Sequence, residues 1–327
     1  MKSSSQSPQD TWSEEQSHVH PLLDGSRLRR DAIAKIIAIP EAKGILLPSL
    51  ARSSRKQRVT DFETAAKHHA TPSALRAAVR RGAFRGPTAG HAPGFVQANV
   101  VILPAADAGD FAEFCRRNSQ ACPLLEMTAP GDPEPKQSAP GADLRTDVPR
   151  YRIFRGGVPE HVEPSDIGPW WRDDLVSFLL GCSFTFEAAL QQAGLSVRHL
   201  ELGRNVPMYR TNLPCQAAGR FAGPLVVSMR PCRADQIDAV RQVTARFPRM
   251  HGAPVHVGDP AAIGIENLAN VDFGEAVPVG DGEVPVFWAC GVTPQLAIAA
   301  ARPELAITHA PGHMFLTDWS DEAFCEW

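Results

Sequence analysis

The pattern of apolar and polar positions divides the chain near residue 60. Residues 1–16 are rich in Ser, Gln, Asp and Glu with no hydrophobic period, and residues 52–58 are a basic run. Such a composition predicts a solvated tail, so residues 1–58 are expected to be a disordered or non-native N-terminal extension. Targeting and nucleic-acid arms are the alternatives; Asp10, Glu14, Glu15, Asp24 and Asp31 argue against a transit peptide. Periodic structure starts at a short helix over residues 61–69, capped by Thr60. Thr71 followed by Pro72 then makes a cap and first turn for a helix over 73–81, which Gly82 ends.

Beyond a loop of small residues at 86–94, residues 95–103, 124–128 and 151–154 read as strands. Residues 107–117 read as a helix with Phe111, Phe114 and Cys115 on one face. Residues 129–142, rich in Pro, Gly and Ser, form a surface loop. Two helices are expected at 173–180 and 184–192, separated by Gly181 and capped by Ser183. Four short apolar runs follow, at 225–229, 254–257, 284–289 and 306–308, with helical patterns at 234–247 and 293–302 among them. Strands alternating with helices predict an α/β fold with a mainly parallel sheet. The expected domains are an α/β main domain from 59–95 and 169–327, and a smaller α+β domain at 96–168.

With 43% apolar residues among 327, the chain can bury a full core. A net charge of −3 argues against a general nucleic-acid or membrane-surface binder. Seven cysteines without CxxC or regular spacing fit free thiols in a cytoplasmic protein, not a zinc ribbon or a disulfide framework. No Walker loop, strand-linked GxGxxG or GxSxG elbow is present, so nucleotide, NAD and serine-hydrolase chemistry find no support.

In open α/β sheets, ligands bind beyond the carboxyl ends of strands. The four runs end at Arg230, at His256 with Asp259, at Cys290, and at His309. Arg210 and Arg230 are candidate grips for a substrate carboxylate, because a guanidinium pairs with it bidentately; structural ion pairs are the competing reading. His251 or His256 with Asp259 could supply a base and its orienting carboxylate. Cys290, ahead of a helix opened by Thr293-Pro294, could be a nucleophile or a small core residue. Asn205 and Tyr209, with Thr88 and Gly90 of the small-residue loop, complete the expected substrate contacts. The His and Asp spacing matches no standard zinc pattern, so no metal is expected.

From about residue 84 to 318 the chain resembles the D-glutamate cyclase and hydro-lyase family. The stretches that carry the resemblance include Arg85-Gly86-Pro87-Thr88-Ala89-Gly90, Gln97-Ala98-Asn99, Gly181-Cys182-Ser183-Phe184 and Asn205-Val206-Pro207-Met208-Tyr209-Arg210-Thr211. They continue with Val227-Ser228-Met229-Arg230-Pro231, His251-Gly252-Ala253-Pro254-Val255-His256, Phe287-Trp288-Ala289-Cys290-Gly291-Val292-Thr293-Pro294-Gln295 and Thr308-His309. The resemblance implies a three-layer α/β domain beside a smaller two-layer α+β domain. It also implies a carbon–oxygen lyase acting on a small amino or oxo acid, with cyclisation of D-glutamate to 5-oxo-D-proline as the leading reaction. On that reading Arg210 grips the substrate, His256 and Asp259 act as base and orienter, and His309 is the acid. No cofactor, nucleic acid or membrane takes part, and a homo-oligomer is compatible. The alternative is a non-catalytic ligand-binding or accessory subunit of a lactam or amino-acid pathway.

Overall fold

Two antiparallel sheets organise the protein in the computed structural model, which describes residues 71–326. The expectations for residues 1–58 and for a helix at 61–69 lie outside the described residues. Helix α1 (Pro72–Arg80) begins as its sequence predicts, with the Thr71 hydroxyl accepting the Ala74 N–H at 3.3 Å and Pro72 in the first turn.

Strand β1 (Phe95–Pro104) is the centre of the larger sheet. Around it lie α2 (Ala105–Arg117), β2 (Leu124–Met127), β3 (Tyr151–Arg155), β4 (Val158–Pro159), β5 (Leu175–Leu180), β10 (Leu305–His309) and β11 (Phe315–Ser320). The strand order is β2-β5-β1-β10-β3-β4, with β11 on the first half of β1. The second half of β1 pairs Val101 with Phe178 of β5 and with Thr308 of β10. Its side chains alternate between two core clusters. Val96, Ala98, Val100 and Ile102 pack in the cluster that holds Phe186 and Trp288. Val101 and Leu103 pack in the cluster that holds Phe111, Phe114 and Ile298.

The smaller sheet has the order β6-β7-β9-β8, from β6 (Met208–Pro214), β7 (Pro224–Arg233), β8 (His256–Val257) and β9 (Glu283–Ala289). The remaining helices are α3 (Phe184–Gln192), α4 (Arg198–Glu201), α5 (Ile237–Ala245) and α6 (Thr293–Ala301).

Three expectations differ from what the described residues show. Residues 173–180 were expected to be helical, yet 175–180 are β5, buried at every position and hydrogen-bonded on both sides. A strand buried on both faces has no apolar–polar alternation, so periodicity cannot separate it from a core helix. The mainly parallel sheet is not matched either: every strand pairing is antiparallel among the described residues. The β7–α5–β8 crossover does return the chain in the direction of β7, but β9 inserts between β7 and β8 and runs against both. Finally, the expected boundaries at 95/96 and 168/169 cut through one sheet. Strands β1–β4 share it with β5, β10 and β11, because the flanks of β1 are filled from outside the 96–168 block.

Candidate active site

Two turns of similar build meet at one cleft. Gly181–Ser183 joins β5 to α3, and Cys290–Val292 joins β9 to α6. Each turn places a cysteine two residues before the backbone N–H at a helix start, Phe184 after Cys182 and Val292 after Cys290, and these N–H groups act to favour the thiolate. Neither helix has a side-chain cap. The positive ends of α3 and α6 are therefore left for a ligand.

The cleft is partly open to solvent, and its empty volume of about 480 Å3 includes the open mouth. Its wall holds Cys182, Ser183, Phe184, Cys290, Gly291, Val292 and Gln295, with Asn99 from β1, His309 from the end of β10, His251, and Asn205, Val206 and Met208 at the start of β6. Asn99 donates to the Gly181 carbonyl at 2.7 Å, which ties β1 to the first turn. Its carboxamide also lies so close to Gly291 that a Cβ there would sit 2.5 Å from Nδ2. Glycine at 291 is thus what allows the second turn to approach β1.

The two histidines of the wall are fixed in different tautomers. His251, in the left-handed region at φ 74°, has Nδ1 at 2.8 Å from the Gln120 carbonyl. That nitrogen carries the proton, and Nε2 keeps an open lone pair. His309 has Nδ1 at 3.0 Å from the Val100 N–H, with the Val100 carbonyl farther off at 3.3 Å. The nearer partner, the Val100 N–H, makes Nδ1 the acceptor and so assigns the proton to Nε2. Burial lowers both to about 4, and both rings are neutral at pH 7. Gln295 is 7% exposed and its Nε2 makes no bond to another protein group.

Both thiols are the reverse of activated. Burial pushes Cys290 up to about 11 and Cys182 up to about 12, outweighing the helix N–H groups that favour thiolate. Cys290 lines the cleft as a protonated thiol, which does not suit the nucleophile considered from its position ahead of α6.

Other sequence-derived candidates lie elsewhere. Arg230 is 1% exposed and fully engaged. Its Nε donates to Glu187 Oε1 at 3.1 Å, a second nitrogen pairs with the same oxygen, and it donates to the Ser228 and Ser183 hydroxyls at 3.0 Å each. Phe186 and Trp288 lie against the guanidinium at 5.1 and 5.2 Å. It therefore supports the cleft through Ser183 and is not free to grip a carboxylate. Burial acts to raise the Glu187 carboxyl, but Arg230 and His199 outweigh it and hold it below its ordinary range.

Arg210 pairs with Asp272 at 3.5 Å, away from the cleft wall. The Tyr209 hydroxyl donates to the Leu268 carbonyl at 2.7 Å. His256 bonds the backbone carbonyl of Asp259 at 2.7 Å, while the Asp259 carboxylate accepts the Ala261 N–H at 3.0 Å. The expected base and orienter are thus two local turn contacts at the edge of the smaller sheet. The Thr88 hydroxyl, fully buried, donates to the Gly312 carbonyl and accepts the Met314 N–H, tying the small-residue loop to the cleft wall. Gly90 lines a second cleft. Of the expected set, His309, Cys290 and Asn205 come together on the first cleft. Asn99, Cys182 and Gln295 join them unforeseen, although each falls in a stretch that carried the family resemblance.

Fold and cleft define a mixed α/β protein with antiparallel sheets and a partly open cleft of mixed polar and apolar lining. Comparison with known proteins adds the family. Residues 176–318 match the family model described as D-glutamate cyclase, a span that includes Cys182, His251, Cys290, Gln295 and His309. A protein of Stutzerimonas stutzeri is 60% identical over 252 residues, covering 77% of this chain and 95% of its own length. One from Rubrobacter xylanophilus is 61% identical over 250 residues (76% and 96%), and one from Bacillus pumilus 57% over 251 (77% and 95%). All three bear the name "Putative hydro-lyase". The chain belongs to the D-glutamate cyclase family. Among solved structures, a nitrogen repressor-like protein from Methanococcus jannaschii overlaps at a TM-score of 0.32 and 8% identity, over 69% of this chain and 88% of that one, too slight a likeness to inform the fold.

Proposed function

We propose that the cleft dehydrates a small amino or oxo acid, and that its substrate is D-glutamate, closed to 5-oxo-D-proline with loss of water. The observation that carries this reading is the pair of neutral histidines, one with an open lone pair and one with an available N–H, on a cleft that two helix N-termini flank. The relatives' names and the family description support the reaction class.

Ring closure requires the substrate ammonium to lose a proton before its nitrogen attacks the side-chain carboxyl carbon. His251 Nε2 is the acceptor for that proton. The tetrahedral intermediate places negative charge on oxygen, which the His309 Nε2–H and the Gln295 amide can stabilise. One C–N bond forms and one C–O bond breaks. The oxygen that leaves takes its protons from those lost by nitrogen, so the reaction is neutral in protons. The substrate's other carboxylate is held by helix N-termini instead of the arginines considered from sequence.

The test is to incubate the purified protein with D- and L-glutamate and follow 5-oxoproline by NMR. Turnover that His251→Gln abolishes supports the reading. Saturable binding without turnover would favour an accessory subunit. A cytoplasmic setting is part of the proposal: all seven cysteines are free, and no helix among the described residues is long and apolar enough to cross a membrane.

A further inference from the structure

Phe184 lines the first cleft and also a second, of about 640 Å3, roofed by the small-residue loop through Ala89–Phe95. Gly90 and Gly94 take φ values of 78° and 85° there, and no heavy atom lies within 4 Å of where a Cβ would stand on either. Beside His91 and Gln191, the polar wall of this cleft holds Gln97, Glu187 and Asp321. Gln97, 5% exposed, donates its amide N–H bonds to the Thr88 and His91 carbonyls at 3.0 and 3.2 Å. Those two bonds forbid the flipped amide, which would set an oxygen against two carbonyls. Gln97 Oε1 is therefore fixed as an acceptor, and it makes no bond to another protein group. Asp321, whose N–H donates to the Gly94 carbonyl at 2.9 Å, adds a buried carboxylate beside the neutral Thr185 hydroxyl, with no cation against it in the cleft wall among the described residues. Burial raises its carboxyl to about 6, so it is ionised at neutral pH. Glu187 adds a carboxylate already paired with Arg230, and no Lys or Arg lines the cleft among the described residues.

We infer that this second cleft binds an organic primary ammonium group, held by Gln97 Oε1 and the Asp321 carboxylate with its carbon chain against Ala188 and Leu200. The unpaired, buried Gln97 Oε1 calls for a ligand that brings N–H groups. The Asp321 carboxylate in the same wall calls for a positive one. The apolar remainder of the wall suits a carbon chain and not a hydrated ion. No group of three His, Cys, Asp or Glu able to hold a metal exists among the described residues. The inference does not depend on the reaction assigned to the first cleft.

Calorimetric titration of the purified protein with n-butylammonium chloride tests it, with tetramethylammonium and potassium chlorides run in parallel. Saturable binding of butylammonium is expected, with neither comparison salt competing. Asp321→Asn, which keeps the shape, should weaken it about tenfold or more through loss of the charge-assisted bond. Ala188→Phe should abolish it by filling the cleft while leaving both acceptors in place. A protein that takes up no butylammonium overturns the inference. So does equal binding of tetramethylammonium, which has no N–H, or of potassium, or unchanged affinity in a folded Asp321→Asn protein.

Discussion

His251 and His309 face one cleft with their protons on different nitrogens, because the backbone hands each a different partner. The Gln120 carbonyl takes the Nδ1 proton of His251, and the Val100 N–H fills the Nδ1 lone pair of His309. One ring can accept a proton while the other donates a hydrogen bond, and neither carries charge at rest. An entering carboxylate offsets the cost of a buried imidazolium and raises His251 toward the working pH.

The pair therefore responds unequally to the same substitution. In His251→Gln the amide can still donate to the Gln120 carbonyl, but no basic lone pair remains, so turnover should fall about a hundredfold or more. In His309→Gln the oxygen can accept the Val100 N–H while the amide N–H still reaches the cleft, so the loss should be smaller. Rates of 5-oxoproline formation from D-glutamate decide the matter; equal losses would reject the division of roles.

Stability should depend on pH through the same two rings. Each is lowered from 6.5 to about 4 by burial, so between those values the unfolded chain binds more protons than the folded one. Stability contributed by keeping them neutral is full above about pH 6.5 and is lost as pH falls toward 4, by roughly 3 kcal/mol per ring at most. Urea unfolding at pH 7 and pH 4.5 should show a steep loss in the parent protein and a shallower one in His251→Gln/His309→Gln. Parallel losses would place the acid sensitivity elsewhere.

Elements with a clean period or cap were legible in the amino-acid sequence. Thr71-Pro72 marks the start of α1, and Phe111, Phe114 and Cys115 trace the buried face of α2. Strand β5 was not, because its six residues are buried on both faces and look the same under either period. In the site, the strand-end rule located Cys290 and His309, whose elements do end at the cleft. His256, Arg210 and Arg230, two from that rule and Arg210 a separate carboxylate-grip candidate, have as partners the Asp259 carbonyl, Asp272 and Glu187. Two of those partners are distant in the chain, and pattern alone does not reveal such pairings. Asn99, Cys182 and Gln295 come from three separate segments, and only their shared presence in the family-like stretches linked them beforehand, whereas His251 was already a candidate base.

Cys290→Ser separates a thiol that reacts from one that fills space. With the thiol at about 11, almost none is thiolate at pH 7. Activity should stay within a few-fold of the parent, and the protein should resist alkylation at this position at neutral pH. A loss of several hundredfold, with mass-spectrometric evidence of a covalent substrate adduct in the parent, would restore covalent catalysis.

The two arginines that first suggested a carboxylate grip should behave as structural residues of unequal weight. Arg230→Met leaves Glu187 as an uncompensated charge in the core and should cost about 3–5 kcal/mol, read as a large fall in melting temperature. Arg210→Lys breaks a partly exposed pair and should cost less than about 1 kcal/mol. Substrate KM should not respond to Arg210→Lys; a tenfold rise would return that residue to the binding site.

Gly291→Ala tests whether the close approach of β1 and the second turn shapes the cleft. The added methyl would stand 2.5 to 2.7 Å from atoms of the Asn99 carboxamide, inside contact distance. Either that carboxamide swings away, breaking its 2.7 Å bond to the Gly181 carbonyl, or the Cys290–Val292 turn retreats. Both movements displace a cleft wall, and overpacking of this kind costs about 1–3 kcal/mol. If the clash with Asn99 is the cause, shortening that side chain should relieve it. The pair Asn99→Ala/Gly291→Ala should then be less destabilised than the sum of its single substitutions, while turnover stays low because the Gly181 anchor is gone. Strict additivity in chemical unfolding would mean that the alanine is accommodated without touching Asn99, and that the glycine serves the turn alone.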